Sequence, residues 1–78
     1  MIMGQRSFNV YGLYCRVIKV AKSLSLTYKP KYYFRVEVHK GEKLLGDYHA
    51  SAKTFKEALN LVFEQFDSLK GYKNGTNN

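Results

Sequence analysis

The side chains able to do chemistry in this 78-residue chain are one cysteine, two histidines, six carboxylates and a large set of Lys, Arg and Tyr. Nucleophilic catalysis needs a nucleophile, a base and an orienting group within hydrogen-bond reach of one another. Cys15, His39 and His49 show no spacing that would assemble such a group. A thiol among Val, Ile and Tyr is ordinarily a small core side chain. One Cys and two His ten residues apart match no metal-ligand pattern, and no glycine-rich phosphate loop occurs. The expectation is a protein without catalytic centre, cofactor or metal.

The cations and tyrosines point elsewhere. Lys19, Lys22, Tyr28, Lys29, Lys31, Tyr33, Arg35 and Lys43 crowd the middle of the chain. Lys and Arg neutralise phosphates and release counterions, and Tyr rings stack on unpaired bases, at about 1–3 kcal/mol each. These eight residues are the expected nucleic-acid contacts, with DNA ahead of RNA as the ligand. The bland counterpart is solvation, since Tyr, Arg, Glu and His alternate along many exposed strands.

The placement of charge adds weight. The net charge is +7. Residues 1–53 carry ten Lys or Arg against Glu37, Glu42 and Asp47, whereas residues 54–78 balance Lys56, Lys70 and Lys73 against Glu57, Glu64 and Asp67. All the excess lies ahead of the C-terminal helix, and such a field attracts polyanions. A single cysteine allows no internal disulfide, which suits a reducing compartment. The opening MIMGQRSFNV has no basic-then-apolar leader, and no apolar run approaches the roughly 20 residues of a membrane span. A cytoplasmic setting without membrane contact is expected. So small a chain buries a thin core, which a homodimer would thicken.

Positioning falls to a few elements. Phe55, Ala58, Leu59, Val62, Phe63, Phe66 and Leu69 recur at helical spacing. Thr54 and Glu57 form a capping box at the start, and Gly71 suits the left-handed residue that ends a helix. Residues 32–39 and 43–51 alternate as a hairpin. A three-residue loop, His39-Lys40-Gly41, sets Val36 opposite Leu44, Phe34 opposite Gly46 and Tyr32 opposite Tyr48. Phe34 then covers the gap at Gly46, while Glu37 meets Lys43, Tyr33 meets Asp47 and Arg35 lies near Asp47. Phe8 to Ala21 fits one long, bulged strand by its β-branched and aromatic content, although a helical stripe also fits, and Arg16 and Lys19 fall on opposite faces. Lys22 to Lys31 is a loop, and residues 72–78 a disordered polar tail. The expected architecture is a single α+β domain over residues 1–71, with a three-stranded antiparallel sheet on one C-terminal helix, in the order β-β-β-α.

The stretch YYFRVEVHKGEKLLGD followed by KTFKEALNLVFEQF resembles the small DNA-binding domains of integrase N-termini and AP2-type factors. The resemblance covers about half of the chain. It implies a three-stranded sheet in the major groove with Tyr33, Arg35 and Lys43 on groove-facing strands. The acidic pair Glu37 and Asp47 and the longer 22–31 loop depart from that pattern. The same region also resembles the later half of a double-stranded RNA-binding domain, which implies phosphate contacts at Lys53 and Lys56. There the usual lysine pair is absent, and Phe63 and Phe66 replace small residues. The rival function is a protein-binding inhibitor or adaptor, of a kind a virus or mobile element uses to block a host factor.

Overall fold

A computed structural model describes residues 3–22 and 31–74 of the chain. Four antiparallel strands, β1 (Gly4–Val10), β2 (Leu13–Lys22), β3 (Tyr32–Lys40) and β4 (Lys43–Ala52), form a meander in sequence order. Two helices, α1 (Phe55–Gln65) and α2 (Asp67–Asn74), follow and cover one face. The α+β class and the antiparallel sheet stand as expected; the sheet has four strands where three were expected.

The extra strand comes from a turn inside the segment read as one strand. Tyr11 (φ 54°) and Gly12 (φ 76°) are both left-handed, the signature of a type I′ hairpin, whose twist matches the flanking strands. Tyr is an uncommon residue there. Its ring packs 5.2 Å from that of Phe63, an aromatic contact that helps hold the turn. The mixed parity of Arg16 and Lys19 is real: Arg16 lies on the outer face opposite Glu37, and Lys19 on the helix face opposite Phe34. A bulge follows at Val20.

The β3–β4 hairpin has a different register from the expected one. Gly41 (φ 60°) and Glu42 make a two-residue turn between the paired Lys40 and Lys43, and a bulge sits in β4 at Leu45. Val36 therefore faces Tyr48, Phe34 faces Ala50, and Tyr32 faces Ala52. The shift is four residues through the body of the hairpin, which preserves parity there, so alternation alone cannot detect the slide. Next to the bulge, Leu44, expected opposite Val36 on the helix face, turns to the outer face opposite His39, and Leu45 packs on the core instead. Tyr48, rather than Phe34, covers Gly46: a Cβ at that glycine would collide with the Tyr48 ring. That ring stacks on Phe66 at 4.6 Å. The expected pairs Glu37–Lys43 and Tyr33–Asp47 give way to Glu37–Asp47 and Tyr33–Ser51.

The helix begins as its sequence dictates. Glu57 N donates to Thr54 Oγ1 at 3.1 Å, and Lys53 N donates to Glu57 Oε1 at 3.1 Å. Ala58, Leu59, Val62 and Phe63 are buried against Leu13, Cys15, Val17, Phe34, Val36 and Val38. Phe66 breaks the helix in an extended conformation (φ −106°, ψ 116°), so Leu69 reaches the core from α2 instead of from a continuous helix. Gly71 lies within α2 and does not end it. Residues 72–74 thus belong to a helix, and Tyr72 packs on the core; the remainder of the expected tail is outside the described residues, as is the 23–30 part of the expected loop. Both sheet edges carry features that discourage strand addition: Arg6 points inward on β1, and β4 is bulged.

Candidate nucleic-acid interface

The eight expected contacts do not form one site. Tyr33 and Arg35 lie on the outer sheet face, away from the helices. Lys19 and Lys22 lie on the helix face, in register with Phe34 and Tyr32. Lys31 is exposed just ahead of β3. Lys43 sits at the Gly41–Glu42 turn, the opposite end of the hairpin. Tyr28 and Lys29 are outside the described residues.

The outer face is electrically closed. Glu37 and Asp47 stand directly opposite each other, a like-charge pair that would be repulsive alone. Arg35 bridges them, at 3.1 Å to Glu37 and 2.8 Å to Asp47. Arg16 approaches Glu37 from β2 at 3.6 Å and is held by Gln5 of β1 at 3.1 Å. His39 Nε2 lies 3.6 Å from the same carboxylate, and its ring tilts against Tyr14. Tyr14 in turn shares a hydrogen bond with Ser7. The network spans all four strands, so the arginine best placed for a groove contact already has two carboxylate partners.

The other end of the molecule is the reverse. Where β1 and β2 meet the start of α1, a cavity of about 400 Å³ is rimmed by Arg6, Lys19, Lys53 and Lys56, with Phe8, Thr54 and Phe55 completing its wall. Two of these cations rest on one ring: Arg6 Cζ is 5.5 Å and Lys19 Nζ 5.0 Å from the centre of Phe55. Lys19 also sits 4.2 Å above Tyr32, a cation–π geometry that keeps an ammonium in place without neutralising it. All six Asp and Glu side chains are among the described residues, and none forms an ion pair with these four cations. Lys22, paired with Tyr32, extends the basic surface along the strand ends.

Arg6 was missed because β1 was missed, while Lys53 and Lys56 were tied to phosphate only through the RNA-binding resemblance. Once Tyr11-Gly12 is taken as a two-residue turn, the register brings Arg6 opposite Val17, beside Lys19. Elsewhere the chemistry is quiet. Cys15 is fully buried, and burial pushes its thiol up to about 11, far from a reactive thiolate. Among the described residues no cluster of His, Cys, Asp and Glu could hold a metal, and no helix is long and apolar enough to cross a membrane. No protein-family model matches the chain, and no curated protein or solved structure matches it either.

Proposed function

We propose that the protein is a small nucleic-acid-binding module with no catalytic role, and that it captures its ligand electrostatically at the basic end formed by Arg6, Lys19, Lys22, Lys53 and Lys56. One observation carries this reading: four cations share a cavity with no carboxylate partner, while the carboxylates of the sheet are spent on the outer face. Uncompensated cations held close together raise the local potential, and a polyphosphate lowers it while releasing its own counterions. The site differs from the groove-facing sheet that the integrase-like resemblance implies, because there Arg35 is already engaged twice.

The test is fluorescence anisotropy with labelled single- and double-stranded DNA and RNA at about 50 and 200 mM salt. DNA is the first ligand to try. Micromolar or tighter binding with a steep salt slope supports the reading. A flat signal at low salt sinks it and turns attention to an acidic protein partner, the inhibitor or adaptor reading.

A further inference from the structure

We infer that the cavity at the start of α1 is a receptor for the terminal phosphate monoester of a nucleic-acid strand, rather than a point on a continuous backbone track. The inference rests on the nucleic-acid reading above and names what that site takes.

Charge stoichiometry argues for an end. Arg6, Lys19, Lys53 and Lys56 border one cavity of about 400 Å³, within the size range of small-ligand sites. A phosphodiester passing through brings a single negative charge per nucleotide. A terminal phosphate brings about −1.5 to −2 at neutral pH, with three acceptor oxygens. Four cations without an ion pair, set against the one Glu57 carboxylate that accepts from Lys53 N, leave a surplus better matched by the second.

The aromatic wall adds a reason against base stacking here. The rings of Phe55 and Tyr32 are approached by Lys19, and Phe55 by Arg6 as well. These rings fix the position of cations instead of offering themselves to a base. At the start of the helix two amides are already taken, since Thr54 Oγ1 accepts from Glu57 N and Glu57 Oε1 from Lys53 N. The cations are what remain uncommitted.

The experiment compares one labelled DNA oligonucleotide bearing a hydroxyl, a 5′-phosphate or a 3′-phosphate, bound to the full chain. A phosphorylated end should bind about 5-fold more tightly than the hydroxyl form at low salt. That advantage should shrink as pH falls through about 6, where the monoester takes up its second proton. Lys56→Gln and Arg6→Gln, each checked for folding by circular dichroism, should erase the advantage, and Lys43→Gln should keep it. Equal affinity for all three ends overturns this inference and leaves the proposed function standing. Absence of binding to every form overturns both.

Discussion

The two cation-bearing regions of this molecule differ above all in how their cations are partnered. On the outer sheet face Arg16, Arg35 and His39 converge on Glu37, and Asp47 closes the array. At the start of α1, Arg6, Lys19, Lys53 and Lys56 converge on aromatic rings and a cavity. The first arrangement stiffens a solvated surface, and each exposed pair in it is worth little, about 0–1 kcal/mol. The second stores repulsion that a polyanion relieves.

The sharpest way to break this contrast is charge reversal on the two sides. Arg6→Glu with Lys53→Glu should weaken DNA binding by about 100-fold at low salt and flatten the salt slope by about two phosphate contacts. Arg35→Glu with Lys43→Glu changes net charge by the same amount and should cost far less. If the second pair were the more damaging in anisotropy titrations, the outer face would be the interface after all.

A substitution that touches no charge separates loss of fold from loss of field. Gly46→Ala drives a Cβ into the Tyr48 ring, which then loses its place on Phe66 and beside Ser68. Overpacking of that kind costs about 2 kcal/mol, readable as a lower urea midpoint. Below the transition, nucleic-acid affinity should match that of the parent chain, since the basic cavity lies at the other end of α1 from Phe66.

Alkali probes the layer between the two regions. Cys15 is held neutral to about pH 11 in the fold by its burial and ionises near 9.0 when unfolded. Below pH 9 both states keep the proton, so this group contributes no slope there. Between 9 and 11 only the unfolded state loses it, and stability falls by about 1.4 kcal/mol per pH unit. Urea midpoints measured across that window should lose most of this slope in Cys15→Ala. An unchanged slope would mean that the thiol is wetter than its burial indicates.

The smallest effect is the most discriminating. Glu37→Gln releases Arg16, Arg35 and His39 from their shared carboxylate. Stability should change by less than about 1 kcal/mol, while DNA binding tightens about threefold as the outer face gains uncompensated charge. Glu64→Gln raises the net charge equally but frees only Lys73. Equal tightening in both variants would show that net charge, and not local pairing, sets affinity.

Much of the fold was legible along the chain because its signals are local. The stripe from Phe55 to Phe63 and the Thr54–Glu57 box specify α1 without reference to anything else. Alternation assigned the side chains of β3, and those of β4 from Gly46 onward, to their faces, and the structure keeps them; the bulge at Leu45 reverses Leu44 and Leu45. The register was not legible, because a slide of four residues preserves parity. The Tyr11-Gly12 turn was hidden by its first residue, since Tyr at positive φ is rare enough to look like strand. Missing that turn concealed β1, and with it Arg6.

Local pattern along the chain is enough for the class of the fold, the helix start, the buried character of Cys15 and the surplus of positive charge ahead of α1. Which cations keep that charge free depends on contacts between distant segments. Arg35 and Asp47 are twelve residues apart, and Arg6 comes from the first strand whereas Lys53 comes from the link between the last strand and α1. Ion pairing depends on distance in space, which strand register sets, and register is settled by how Tyr48, Gly46 and Phe66 fit together rather than by any one segment's pattern.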